Sequence, residues 1–560
     1  MAKIYTARGS TLRKLAVVGT AGVTAFSLAA CAQSQRDGNQ GAGKTGGTFT
    51  FAAAGAPKLF DPFYATDGET FRISRQVFEG LVGFKPETAE ATGELAENWT
   101  QTPDGKTWTF NLRKGVKFHD DTPFNAEAVC YNFNRWYGQT GAGQSAAVSQ
   151  YWTDNFGGFS DGKEPSLFKS CTAKDENTAV VEITRSTSTF PDVLGLPSFS
   201  MQSPTAMQKY NANDVKQAGD SFTFPAYANE HPTGTGPFKF EKFDRQNNVI
   251  ELSRFDGYWG EKTKLDKLNF KVVRDESTRK QDLKTGAIDG YDLPVPQDWP
   301  DLKKDFSLLQ RQPFNIFYLG VTQKSNPKLQ DLRVRQALAH AINREQLVKS
   351  QLPEGASVAT QFMPKTVSGY ADDVVKYDYN PDKAKQLLAA AGAADLTLNF
   401  WWPSEVSRPY MPKPQDLYGA IKADLEKVGI KINTTTKPWA AYLEDVDQQA
   451  ADIFLLGWTG DFNTPHNWIG TFFGNPENRF WTAGSPWGKQ LAADLKTADT
   501  EPDKAKREAL YKELNRKIMS EYLPGVPISH SPPALVVTKS IHGVRPSPLT
   551  AEEFGPVTKG

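Results

Sequence analysis

The sequence predicts a large α/β protein of mixed sheets flanked by helices. Three observations carry that expectation. From residue 315 to 524, stretches with apolar residues at helical spacing alternate with short runs of strand character. Of the 560 residues, 39% are apolar and 23% charged, enough for sizeable cores and against global disorder. No internal repeat is visible, so the length implies roughly three or four domain-sized units or one large interleaved fold.

The elements follow in chain order. Thr48-Phe49-Thr50-Phe51 reads as a strand, and a loop with Asp61-Pro62 leads to an amphipathic helix over 73–81. Trp99-Thr100, a turn at Pro103-Asp104-Gly105-Lys106 and the alternating run 107–112 make a hairpin. Residues 140–165, rich in Gly, Ser and aromatics, read as a loop insertion. Strands are expected at 238–240, 249–252 and 268–273. Helices are expected over 331–342, 381–391 (apolar at 384, 387, 388 and 391, with Gly392 as stop) and 414–428, which Gly429 ends. Residues 396–402 read as a strand, and the continuous apolar run 453–458 reads as a buried parallel strand. Residues 503–522 form an amphipathic helix with 511, 514, 518 and 522 on one face.

Composition excludes several function classes. Sixty-four basic residues balance 64 acidic ones, whereas a nucleic-acid binder needs a basic surplus. Three cysteines cannot make a disulfide-dense scaffold or a four-cysteine zinc site, and six histidines are scattered without HExxH spacing. Neither a cofactor nor a metal is expected. No GxSxG or Cys-His arrangement supports an exported hydrolase.

The N-terminus reads as an address. Residues 1–30 carry Lys3, Arg8, Arg13 and Lys14 and no acid, followed by a mostly apolar run over 15–28 that is short for a membrane span. Leu28-Ala29-Ala30-Cys31 resembles a bacterial lipobox, in which the cysteine thiol is lipidated and cleavage leaves Cys31 first. Residues 31–47 have no apolar periodicity and read as a flexible tether. Losing 1–30 removes four bases, leaving 530 residues with 60 basic against 64 acidic side chains and a net charge of −4. Export places Cys130 and Cys171 in an oxidising compartment. A bridge between them closes a loop of about 40 residues and stabilises by roughly 4 kcal/mol; the alternative is two unpaired buried thiols.

Residues 95–131, LAENWTQTPDGKTWTFNLRKGVKFHDDTPFNAEAVCY, strongly resemble the extracellular solute-binding proteins of peptide-type ABC importers. The likeness continues through Gly234-Thr235-Gly236-Pro237-Phe238, Tyr258-Trp259-Gly260 and 331–338, and spans essentially the whole exported chain. It implies a two-lobe periplasmic-binding-protein type II clamp with three domains. Domain I is discontinuous (48–80, 232–312 and 525–560), domain II is an insertion (81–231), and domain III is the second lobe (313–524). Members of the family bind peptides, nickel complexes, haem, oligosaccharides, glutathione and opines, so the ligand is read from site residues.

Two loops stand out. Residues 401–410 follow the strand at 396–402 and include Arg408 and Tyr410; residues 457–465 follow the strand at 453–458 and include Gly457, Trp458 and Asp461. Ligands of open α/β sheets sit at the carboxyl ends of strands. One arginine and one aspartate there suit a zwitterion, with a guanidinium fork on a carboxylate and a carboxylate on an ammonium. GWTGD followed by a proline is similar to the dipeptide-binding branch, which implies that Asp461 receives the α-amino group. Arg-Pro-Tyr is similar to that branch's carboxylate receptor, implying Arg408 with Tyr410 adjacent. The loop 60–68 resembles its ligand-facing loop, implying Thr66 and Gly68 nearby. The chain departs from the branch after Asp461, where Phe-Asn-Thr-Pro-His-Asn stands, which bears on ligand size. The competing readings are a turn-capping aspartate for Asp461, a surface arginine for Arg408, core positions for Trp401, Trp402 and Trp458, and a plain loop residue for His466.

The function expected is a monomeric, lipid-anchored receptor that catalyses nothing. It captures dipeptides or short peptides by their charged ends and passes them to an ABC permease and its ATPase. The alternatives keep the clamp and change the ligand to an oligosaccharide, a metal chelate or a signalling peptide, or use the cleft as a chaperone or adhesin does.

Overall fold

The computed structural model describes residues 46–219 and 221–560. The expected signal peptide, the lipidation site Cys31 and most of the tether lie outside the described residues. No helix among those described is long and apolar enough to cross a membrane.

Three main sheets organise the chain. The first has seven strands, in the order Phe238–Asp244, Val249–Arg254, Lys267–Val272, Thr48–Ala53, Gly290–Asp292, Ala534–Val537 and Ser307–Gln310. Thr48–Ala53 runs parallel to both its neighbours, with Phe51 beside Phe270 and Gly290. Phe49, Phe51, Phe270 and Phe554 are buried together with edge and tilted ring contacts, so this alternating strand anchors a core. The second sheet has six strands, in the order Ser357–Val358, Gly525–His530, Asn315–Val321, Ile453–Thr459, Thr397–Ser404 and Lys431–Pro438. The third is an antiparallel meander of Ala96–Gln101, Thr107–Leu112, Thr178–Ile183 and Phe168–Asp175.

Most element boundaries follow local chemistry. Asp331, Asn380 and Asp503 cap Leu332–Ala341, Pro381–Ala390 and Lys504–Lys517 by accepting from backbone N–H groups. The expected helix at 73–81 is displaced to Gly68–Val77. Asp67 caps it by accepting from Thr70 N, and Phe78 is already extended. The segment 140–165 is not only loop, since Gln150–Asn155 is a helix held by buried Trp152. Ile453–Thr459 pairs antiparallel with Asn315–Val321 along its whole length and parallel with Thr397–Ser404 at only two residue pairs. Its apolar run therefore reports burial on both faces and not strand direction. The last long helix gives way at Ile518 to a π-turn through Tyr522.

Cys130 on the helix Ala126–Tyr137 is bonded to Cys171 on the strand Phe168–Asp175, 41 residues apart in sequence. The chain crosses between the seven- and six-stranded sheets at 311–314 and again at 531–533. Gly525–His530 thus lies in the six-stranded sheet, beyond the 524 boundary expected for domain III. The two crossings are bonded to each other: Asn315 Nδ2 donates to Ser531 O (2.7 Å), Ser531 N to Asn315 Oδ1 (3.0 Å), and Arg311 N to Pro533 O (2.8 Å). Beside them is a buried charge network. Arg311 forks onto Glu552 (2.6 and 2.9 Å) and reaches Asp292 (2.8 Å), which also accepts from Arg72 (2.5 Å). Away from the crossings, Asp499 of the helix Gly488–Thr500 accepts from Ser188 N, Ser188 Oγ, Thr187 Oγ1 and Arg185 Nη1 at 2.7–3.1 Å. That joins the segment after the meander to the six-stranded side.

Candidate ligand-binding site

Asp461 stands two residues beyond the buried strand Ile453–Thr459. Its loop is shaped by two glycines that cannot carry a side chain. A Cβ on Gly457 would meet Ile316 O at 2.2 Å and the Tyr410 ring at 2.4 Å, and one on Gly460 would meet the rings of Phe314 and Trp468 at 2.4 and 2.6 Å. Asn467 holds the loop closed, with Oδ1 accepting from Asp461 N (2.8 Å) and Trp458 Nε1 (3.4 Å). Among the described residues, the Asp461 carboxylate accepts only a long bond, 3.4 Å, from Asn467 Nδ2. Burial pushes its carboxyl up to about 6, against the Asn467 bond and the charge of Arg75; Asp154 pushes it further up.

Across a cavity of about 40 Å³, Asp461 faces Arg75 and Phe71 of the helix Gly68–Val77, with Tyr151, Phe84 and Leu549 around them. Burial and the Asp461 charge hold the Tyr151 phenol protonated. Arg75 also lines two adjoining cavities of about 70 and 300 Å³, where Glu79, Glu94, Arg545 and Glu553 face inward. Glu79 accepts from Thr235 Oγ1 (2.6 Å), Trp259 Nε1 (2.8 Å) and Tyr258 OH (2.8 Å), yet burial pushes it up to about 7. Burial and neighbouring acids hold Glu94 well above the carboxylate range, although Gly80 N donates to it at 2.6 Å.

Arg408 lies elsewhere. Its guanidinium carbon sits 4.3 Å from the centroid of Trp439, and its backbone pairs both ways with Met411 (3.0 and 2.9 Å). It lines a separate cavity of about 30 Å³ with Leu293, Trp299, Pro409 and Pro533. Tyr410 is buried on Gly457, between the two loops. Burial pushes its phenol up to about 12, against the charge of Arg408. Thr66 and Gly68 flank the cap Asp67; Gly68 is exposed, and neither lines the Asp461 cavity. Trp402 stacks on Tyr418 with centroids 5.6 Å apart, and His466 Nδ1 lies 3.9 Å from Asp499 Oδ1. Arg75, Tyr151, Glu79, Glu94, Arg545 and Glu553 were not singled out from the sequence. The one signal for any of them was Tyr258-Trp259 in a matched block, which proves to bond Glu79.

Two α/β bodies joined by paired crossings, with a charged cavity where loops of both meet, define a ligand-binding clamp. Residues 90–480 match the bacterial extracellular solute-binding proteins, family 5 (middle). The chain belongs to that family, whose members are binding proteins for transport and not enzymes. It is 32% identical over 521 residues to the dipeptide-binding protein of Escherichia coli (strain K12), covering 90% of this chain and 94% of that one. It is 30% identical to heme-binding protein A of Haemophilus influenzae, covering 97% and 98%. Among solved structures, the periplasmic binding protein DppA of Helicobacter pylori in complex with the peptide STSA superposes with a TM-score of 0.72 at 26% identity, covering 92% of this chain and 98% of that one. The fold is accordingly the two-lobe, type II periplasmic-binding-protein clamp.

Proposed function

We propose that this chain is the receptor of an ABC importer for dipeptides or short peptides, with Asp461 taking the α-ammonium of the ligand. The observation that carries this is the nearly unpartnered Asp461 carboxylate, aimed into a cavity that the other lobe closes. A buried carboxylate without a cation is costly, and an ammonium offsets that cost. The dipeptide-binding relative of Escherichia coli and the peptide complex of Helicobacter pylori support the peptide class, while the Haemophilus influenzae relative is named for heme. In this reading domain II is the insertion carrying the meander, and domains I and III meet at the two crossings. Arg408 with Tyr410, and Thr66 with Gly68, remain candidates for the rest of the ligand. Cys31 carries the lipid that holds a monomer to the membrane beside its permease and ATPase.

One preparation tests both anchor and ligand. Full-length protein should fractionate with membranes and Cys31→Ser protein should not; each, once denatured, should release a peptide mixture readable by mass spectrometry. Membrane-bound Cys31→Ser protein rules out the lipid anchor. A released chelate, haem or glycan rules out the peptide reading.

Binding should also depend on pH. The ammonium needs an ionised Asp461, and the empty site protonates as pH falls through about 6. Dipeptide affinity, by calorimetry, should fall roughly tenfold from pH 7 to pH 5. Asp461→Asn should flatten that profile; a wild-type profile flat over this range contradicts the assignment.

A further inference from the structure

We infer that Asp499 latches the two lobes together: its contact with residues 185–188 is made on closure and broken on opening, so it tightens every ligand by a common factor while touching none. The inference rests on the two-lobe clamp and not on the peptide reading, which supplies only the probes.

Asp499 and its partners belong to different bodies. Leu491, Leu495 and Ala498 of its helix, Gly488–Thr500, are packed in the core of the six-stranded sheet. Phe190, Val193 and Leu194, just beyond its partners, are packed in the core of the meander. No short stretch of chain joins the two sides, since Ser188 and Asp499 are 311 residues apart in sequence. The crossings at 311–314 and 531–533 persist in any state of a hinge, whereas a contact made between the bodies elsewhere depends on closure.

The helix itself does not favour an aspartate here. Asp499 is its second-last residue, where the dipole disfavours an anion, and it is only 3% exposed. Among the described residues, every hydrogen bond to its carboxylate comes from the other body: Ser188 N (3.0 Å), Ser188 Oγ (2.7 Å), Thr187 Oγ1 (2.9 and 3.0 Å) and Arg185 Nη1 (3.1 Å). From its own side His466 Nδ1 approaches to 3.9 Å. Burial works to raise the Asp499 carboxyl, yet His466 and the Ser188 and Thr187 bonds hold it below the usual aspartate range. Bonds to an ionised acceptor are strong, and here they stabilise the closed state alone, because parting the bodies returns both faces to water.

The latch is apart from the ligand cavity but coupled to it. Neither Asp499 nor 185–188 lines the Asp461 cavity or the two that adjoin it. The segment held by the latch runs on to Gly195, Leu196 and Pro197, which form part of the Asp461 cavity wall. Two further approaches flank it. A Cβ on Gly105 of the meander turn would come within 3.7 Å of Pro502 Cβ, just beyond the helix of Asp499. Asp192 faces Arg507 and Lys504 of the helix Lys504–Lys517, and burial pushes its carboxyl up to about 7, against its own backbone N–H and those charges. Whatever stabilises the closed state raises the apparent affinity of all ligands that select it, by one factor.

The test is calorimetry at pH 7.5 with two dipeptides of unlike side chains, alanyl-phenylalanine and glycyl-leucine. The proteins are wild type, Asp499→Ala, Ser188→Ala and the double variant, with melting temperatures read with and without peptide. Asp499→Ala should weaken both peptides by the same factor, about tenfold or more, as bonds to a charged acceptor are lost. In stopped flow the loss should fall on the dissociation rate. Ser188→Ala should show part of that loss, and the double variant no more than Asp499→Ala. The ligand-free melting temperature of Asp499→Ala should match wild type, while its rise at a fixed peptide concentration should be smaller. A contact kept in both states would lower the ligand-free value, and that result overturns the inference. So does an affinity within about twofold of wild type, or a loss confined to one peptide. Wild type that binds neither peptide overturns the peptide reading, and the latch then stands or falls on the ligand-free melting temperature.

Discussion

Asp461→Ala should weaken free dipeptides by roughly 30- to several-thousand-fold, the largest effect expected from a single side chain in the site. The ligand ammonium would enter the cavity and find no anion in place of Asp461. Removing one partner of such a desolvated pair typically costs about 2–5 kcal/mol, mainly because the other charge stays buried and unpaired. Asp461→Asn keeps the shape and the Asn467 contact, so its loss reports charge alone. N-acetylated dipeptides should bind wild type poorly and lose little more in either variant. Equal wild-type affinity for free and acetylated peptides, measured by calorimetry, would sink the Asp461 assignment.

Arg311→Met should cost the fold about 3–5 kcal/mol without touching the ligand. Arg311 is fully buried beside the first crossing and holds Glu552 with two bonds and Asp292 with one. In its absence Asp292 keeps Arg72, but among the described residues Glu552 retains only the Ser547 N–H, at 3.0 Å. A buried carboxylate with one neutral donor is far from satisfied. Burial works to raise the Asp292 carboxyl, yet Arg311 and Arg72 hold it down at about 2. A folded value below the unfolded one means the stabilisation is present at neutral pH and is lost as pH falls through about 2. The check is a urea midpoint at pH 7, with the exposed pair Lys85–Glu90 as control. Lys85→Met should leave the midpoint unmoved, because solvent already screens that pair. An Arg311→Met midpoint equal to wild type would falsify the structural role given to the network.

Local chemistry made much of the fold legible. The turn at Asp104-Gly105 and the caps Asp331, Asn380 and Asp503 sit beside the elements they delimit, so sequence spacing finds them. Asp67 caps a helix just as they do, yet was missed because the apolar pattern begins later, at Phe71 and Ile73. The direction of Ile453–Thr459 was not legible, because residues buried on both faces look alike in parallel and antiparallel neighbourhoods. In the site, Asp461 was visible in its glycine-bearing loop. Arg75 was not, since an arginine between Ile73 and Val77 reads as the solvated face of an amphipathic helix. It lines the Asp461 cavity with Tyr151 and Leu549, brought there from distant parts of the chain.

The seven-stranded sheet has a consequence for the order in which the molecule is completed. Its strand Ala534–Val537 lies inside the sheet, between Gly290–Asp292 and Ser307–Gln310, and comes from the last residues of the chain. At the other end, Thr48–Ala53 waits for Lys267–Val272, and Lys559 Nζ returns to Thr48 O at 3.1 Å. A ribosome-bound or half-translocated chain has therefore no finished first lobe, while residues 315–530 can already assemble the whole six-stranded sheet. Closing the first lobe demands contacts of very high sequence separation, which form slowly. For as long as the trailing end is in transit, the first sheet lacks Ala534–Val537 and leaves Ser307–Gln310 without its one partner strand, so the first lobe is the last part of the molecule to be completed.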